Sequence, residues 1–211
     1  MQHRRSAGYT LAEILIVVAI IGVLSLITVP AFMNFQRASI FKSAMRIFSA
    51  DLRAARAQAI QQSYDVRVEL STGAEGPATK QYSFFASRDG GTWAPVAIRK
   101  ASTKHLDGPV WLESATNLDD VDGNGKPDIV FHPNGSADIE DVSGVAQAGV
   151  VVLATDYQNI FANRYNITIS RSGQIRASTS QCNDGVDNDA DGLIDFGPDP
   201  QCSSLSDNSE N

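Results

Sequence analysis

Gly8-Tyr9-Thr10-Leu11-Ala12-Glu13-Ile14-Leu15-Ile16-Val17-Val18-Ala19-Ile20-Ile21-Gly22-Val23-Leu24 is the stretch on which the reading of this 211-residue chain turns. From residue 11 to residue 29, Glu13 is the only charged side chain. As a helix rising 1.5 Å per residue, that segment reaches roughly 28 Å, close to the about 30 Å hydrocarbon core of a bilayer. Residues 1–8 are short and polar and carry Arg4 and Arg5. The bias of basic residues toward the cytoplasm therefore puts them inside and everything after Pro30 outside. The same residues also allow a secretory signal peptide, apolar over 14–28, with Val29 and Ala31 as the small residues for cleavage after Ala31. A carboxylate near the start of the apolar segment weighs against that, since it costs about 2.5–3.5 kcal/mol on insertion and normally marks a functional partner. Snorkelling of Glu13 alone to the interface is the other reading of that side chain.

With its basic leader, Gly8, aromatic Tyr9, Thr10, Leu11, Glu13 and long apolar helix in register, the segment resembles the cleavage and methylation signature of type IV prepilins and type II secretion pseudopilins. The resemblance implies a leader, residues 1–8, removed after Gly8 by a membrane-embedded prepilin peptidase, which then methylates the new amino group of Tyr9. Tyr9 is a mild departure, because the family usually has Phe there. Glu13, fifth in the mature chain, would by the same resemblance pair with the amino group of a neighbouring subunit. Two opposite charges buried together each remove the other's desolvation penalty, which fits that role. The implied partners are other pilins or pseudopilins in a filament, the peptidase, and an inner-membrane assembly platform.

Beyond the span, 9–31, the helical pattern continues through 32–62 and narrows to one apolar stripe. Phe41, Ala44, Met45, Phe48, Leu52, Ala55 and Ala59 recur at offsets of three and four, with Lys42, Arg46, Asp51, Arg53 and Arg56 mostly elsewhere around the helix. This predicts one amphipathic helix to about Gln62, roughly 80 Å long from Tyr9 and kinked at Pro30, where the ring removes a hydrogen bond. Arg53 and Arg56 read as part of a solvated face. From residue 63 the period becomes alternating, and strands are expected at 66–70, 81–85, 109–112, 128–131, 150–153 and 165–169. Turn signals stand at Asp89-Gly90-Gly91, Asn134-Gly135 and Ser172-Gly173. The expectation is an α+β fold, a long helix on an antiparallel sheet, with a periplasmic body over 63–178. The segment 51–60, Val130-Phe131-His132-Pro133-Asn134-Gly135 and the phrase 167–176 together resemble the H-type minor pseudopilin subfamily, GspH/FimT-like.

The formal charge of −7 is unevenly spread, since residues 181–211 hold seven Asp, Glu210 and no Lys or Arg. The rest of the chain is near neutral, which disfavours a strongly basic nucleic-acid binder. Two aspartate clusters carry the remaining chemistry. In Asp120-Val121-Asp122-Gly123-Asn124-Gly125-Lys126-Pro127-Asp128, oxygen side chains stand at positions one, three, five and nine, Gly125 permits the sharp turn, and the Lys126 carbonyl is available at seven. Hard oxygen ligands so spaced suit calcium, bound weakly because Phe131 replaces the bidentate Glu of an EF-hand. The loop resembles those of thrombospondin-type and propeller repeats, and a plain polar hairpin loop is the alternative. Asp187, Asp189, Asp191, Asp195 and the Leu193 carbonyl repeat the offsets within the acidic tail, 179–211, where Cys182 and Cys202 bracket them. Outside the cytoplasm a disulfide is the expected state of that pair. The tail resembles a calcium-loop module of bacterial surface proteins, and a merely solubilising tail is the alternative.

Catalysis has little to stand on. His3 lies in the leader, and His105 and His132 have no nucleophile motif or metal-ligand helix beside them. Trp93 and Trp111 read as core or sheet residues. The resemblances imply a minor pilin-like subunit of a type II secretion pseudopilus, anchored in the inner membrane and active in filament initiation or capping. The alternative is a minor type IV pilin with a calcium-dependent adhesive or DNA-uptake role. For DNA uptake, the subfamily's Gly-Arg-x-Arg pattern reads Gly173-Gln174-Ile175-Arg176 here, without its first arginine.

Overall fold

The stripe Phe41, Ala44, Phe48, Leu52, Ala55 and Ala59 is buried to 3% exposure or less, and everything else in the body is arranged around it. In the computed structural model, residues 11–89, 91–139, 148–156 and 164–179 are described, with the backbone alone at 26, 27, 30, 31 and 34. Helix α1 (Leu11–Gln62) is continuous for 52 residues, about 78 Å, and position 30 does not end it. It stops where Ser63 takes a left-handed conformation, φ 55°, which directs the chain away from the helix axis. Met45 packs against the buried stripe from its edge.

The strands among the described residues form two antiparallel sheets where the sequence suggested one. In the first, β1 (Asp65–Leu70) lies at the centre between β2 (Gln81–Ser87) and β6 (Asp128–Phe131). The short strands β3 (Ala94–Pro95) and β4 (Thr103–His105) both pair with β2, and β7 (Ala137–Asp138) pairs with β6. The second sheet runs β10 (Ile175–Thr179), β9 (Arg164–Ile169), β8 (Gly149–Thr155), β5 (Val110–Thr116), with a bulge between Leu112 and Ser114. All six anticipated strands are present. β3, β4 and β7 are too short to show a period, and β10 was anticipated only as part of the 167–176 phrase.

The helix seats on both sheets through aromatic contacts. Phe48 meets Tyr82 of β2 edge-on with ring centres 4.8 Å apart, and Phe41 meets Tyr165 of β9 at 4.8 Å. Asp51, expected on the solvated face, is instead fully buried. It can be buried because it is paired: Tyr82 Oη donates to Oδ2 at 2.8 Å, while Lys104 Nζ and Arg99 Nη1 lie 2.8 and 3.2 Å from Oδ1. Burial, then the bond to Asp51, raises the Tyr82 phenol far above its usual range and keeps it a donor.

Arg53 is exposed, as the solvated-face reading has it, and Arg56 is half-buried, but both also reach across to backbone carbonyls. Arg56 Nε donates to the Gly135 carbonyl at 2.8 Å and its Nη2 to the Ser172 carbonyl at 2.9 Å, while Arg53 Nη2 reaches the Ile175 carbonyl at 3.2 Å. The helix thus grips the β6–β7 turn of one sheet and the β9–β10 turn of the other. The turns also touch directly, Ala137 N donating to the Arg171 carbonyl at 2.9 Å. Gly173 sits in the middle with φ +72°, and a Cβ there would fall 2.1 Å from the Gly135 carbonyl oxygen and 2.6 Å from Arg56 Nε. Gly125 has a similar φ of +82° but open space around it. Chemical denaturation of the detergent-solubilised chain should therefore separate two alanine variants. Gly125→Ala is expected to cost about 1 kcal/mol from backbone strain alone. Gly173→Ala should cost about 3 kcal/mol or more, because the turn must also move off Arg56; equal effects would contradict the clamp.

Candidate functional site

Residues 117–127 carry the chain from β5 in one sheet to β6 in the other as a long acidic loop that folds over β1. The loop is closed at its neck, where Asp128 N donates to the Asp119 carbonyl at 2.7 Å. Its first aspartate organises the backbone: Asp120 Oδ1 accepts from Asn124 N at 3.1 Å and Oδ2 from Gly125 N at 2.7 Å. Gly123 and Gly125 supply the positive φ values, 69° and 82°, that fold the chain this tightly. Oxygens of Asp120, Asp122 and Asp128 gather within 4.8 Å of one another. Three of the side chains singled out from the spacing therefore converge.

Asn124 turns elsewhere, and Lys126, named for its carbonyl, sends its side chain the same way. Asn124 Nδ2 donates to Glu69 Oε2 at 2.8 Å, and Lys126 Nζ pairs with Glu69 Oε1 at 2.7 Å. Glu69 and Arg67 stand on β1, alternating with Val66 and Val68. Both are buried, Arg67 at 3% and Glu69 at 8% exposure. The Arg67 guanidinium lies over the rings of Phe85 and Trp93, 4.7 and 5.1 Å from their centres. Its Nη1 is 2.8 Å from Asp122 Oδ2 and 3.5 Å from Asp128 Oδ2, ion pairs without hydrogen-bond alignment.

The two acids respond in opposite directions. Burial pushes the Asp128 carboxyl up to about 6, against the attraction of Arg67 and the Val121 N–H. Slight burial acts upward on Asp122 too, but its contact with Arg67 outweighs it and holds that carboxyl below its ordinary range. Asp128 Oδ2 accepts from Val121 N at 3.0 Å, so the carboxyl aims into the loop, while its Oδ1 is buried with no hydrogen-bond partner.

At the amino end, Glu13 lies in the first turn of α1, in a stretch, 11–25, where every side chain is exposed. That stretch alone is about 22 Å long, and no helix among the described residues is by itself long and apolar enough to cross a membrane. Gly8, Tyr9, the cluster Asp187, Asp189, Asp191, Leu193 and Asp195, and the pair Cys182 and Cys202 lie outside the described residues.

A long helix with an apolar, uncovered first half and a second half built into antiparallel sheets defines a pilin-like subunit. The family described as type II transport protein GspH matches residues 44–173, and the prokaryotic N-terminal methylation motif matches residues 3–29. The chain belongs to the GspH family, and it is a pseudopilin of type II secretion, a structural subunit and not an enzyme. Solved structures similar to it include the minor pseudopilin EpsH from the Type 2 Secretion System of Vibrio cholerae, at 14% identity and TM-score 0.46, over 65% of this chain and 94% of that one. Another is the type IV minor pilin FimU of Pseudomonas aeruginosa, at 16% identity and TM-score 0.45, over 68% of this chain and 92% of that one. No curated protein matches the chain.

Just past the end of β6 from Asp128, His132 bridges Asp65 and Asp138, with Nδ1 and Nε2 each 2.8 Å from a carboxylate oxygen. Partial burial acts to lower its pKa, but the bonds and charges of Asp138 and Asp65 prevail and hold it above 6.5. A raised folded pKa means stability fully present below the unfolded value, near 6.5, and lost as pH rises through the folded one. The melting temperature should accordingly fall as pH increases from about 6.5 upward, and His132→Gln should flatten that decline. An unchanged pH profile in the variant would contradict the bridge.

Proposed function

We propose that the chain is made as an inner-membrane precursor, with residues 1–8 in the cytoplasm, 9–31 across the bilayer and the sheet body in the periplasm. Prepilin peptidase cuts it after Gly8 and methylates Tyr9. The mature subunit then leaves the membrane through the assembly platform and joins other pseudopilins in the filament, acting as a minor subunit in its initiation or capping. The observation that carries this reading is the division of α1. Its first half exposes Leu11, Ile14, Leu15, Ile16, Val17 and Val18 at 50–78% with no covering element among the described residues, whereas its second half is the core of the body. A helix that is apolar all round needs an apolar surrounding, which lipid supplies before assembly and neighbouring helices supply after it. Glu13 then serves as the register pin: its carboxylate is stable among apolar helices only against a positive group, and the methylated amino group of Tyr9 in a neighbour is one.

Intact-mass analysis of the chain purified from membranes tests the processing on which the rest depends. The expected species begins at Tyr9 and carries one methyl group, and Gly8→Leu should leave residues 1–8 attached. A terminus at Phe32 would mark a cleaved secretory protein and contradict the reading.

A further inference from the structure

We propose that the 120–128 loop is a calcium site in which Asp120, Asp122 and Asp128 hold the ion against β1, independently of the filament role. The first support is geometric. Two oxygens on one calcium ion, at 2.3–2.6 Å each, can be no more than about 5 Å apart. The three aspartate oxygens lie within 4.8 Å of one another, inside that reach. The donors are all hard oxygens, without the nitrogen or sulfur that would favour zinc or copper.

The second support is independent of the clustering. Asp128 is 1% exposed and its Oδ1 has no hydrogen-bond partner. A carboxylate lone pair cut off from both water and donors is costly, and a cation among the three acids removes that cost. The third is charge. Among the described residues, Glu69, Asp119, Asp120, Asp122 and Asp128 outnumber the cationic groups paired there, Arg67 and Lys126, which leaves an excess of negative charge for a cation. Arg67 already neutralises part of the loop, so it holds the acids together before the ion arrives and also keeps the affinity modest. Glu69 acts through Asn124 and Lys126, fixing the loop against the strand.

Trp93 makes the site readable. It stacks on Arg67, which touches Asp122, so a terbium ion bound in the loop is near enough for tryptophan-sensitised emission. The detergent-solubilised full chain would carry Asp187→Asn and Asp189→Asn to silence the acidic tail. Terbium should give saturable emission that calcium displaces and magnesium at equal concentration does not. Asp122→Asn, at an exposed position and with near-ultraviolet circular dichroism checking the fold, should weaken terbium binding at least tenfold, and Trp93→Phe should remove most of the emission. Asp128→Asn should abolish binding, with near-ultraviolet circular dichroism reporting whether it folds. Absence of saturable emission, emission indifferent to Asp122→Asn, or equal displacement by magnesium would overturn the proposal.

Discussion

The guanidinium of Arg56 is the interaction on which the body depends. It donates to the turns of two different sheets at once, Gly135 in one and Ser172 in the other, from a position flanking the apolar stripe that fills the core. A charged group donating to backbone carbonyls is a stronger bond than a neutral pair, and it satisfies acceptors at turns that no strand covers. Gly173 follows from it, because the space between the two turns and the arginine admits no side chain. The order of the second sheet follows too, since β9 and β10 must present their turn to the same point on the helix as β6 and β7.

Around that clamp an apolar core encloses a few paired charges, and the first half of α1 carries apolar surface outside it. Asp51 is fully buried among Tyr82, Lys104 and Arg99, and Arg67 is buried among two rings and the loop acids. Broken singly, such pairs leave an uncompensated buried charge; intact, they fix the rotation of α1 about its axis and the seating of the loop on β1. No element among the described residues covers the apolar side chains of the first half of α1. A helix rotationally fixed at one end and uncovered at the other can transmit the orientation of the body to whatever packs on its first half. A filament subunit needs that relation between body and packing helix.

The repeating parts of the fold were legible in the sequence and the non-local parts were not. The stripe from Phe41 to Ala59 and the alternation at 66–70 or 165–169 are local periods, and each produced the element it announced. Asp51 and the arginines at 53 and 56 look like a polar face because helical position says nothing about what crosses above it; Tyr82, Lys104 and Gly135 arrive from strands far along the chain. Arg67 and Glu69 were missed for the same reason. Alternation assigns them to the outer face of β1, and only the return of the 117–127 loop turns that face into an interior. The signal that could have found them is complementarity: a basic and an acidic residue two apart on a strand, in a chain whose acidic loop carries a single base, Lys126. Of the residues in the 120–128 spacing, three carboxylates lie close together, while Asn124 goes to Glu69. The 187–195 cluster and its bracketing cysteines lie outside the described residues.

The central claim is that the first half of α1 packs against other pseudopilins. Replacing Ile14 with cysteine, one position from Glu13, and cross-linking in intact membranes before identifying partners by mass spectrometry tests it directly. Recovery of type II secretion pseudopilins, lost when Glu13 is changed to Leu, is the result the account predicts. Recovery of a major type IV pilus subunit instead, or of no pilin-like chain at all, would contradict it.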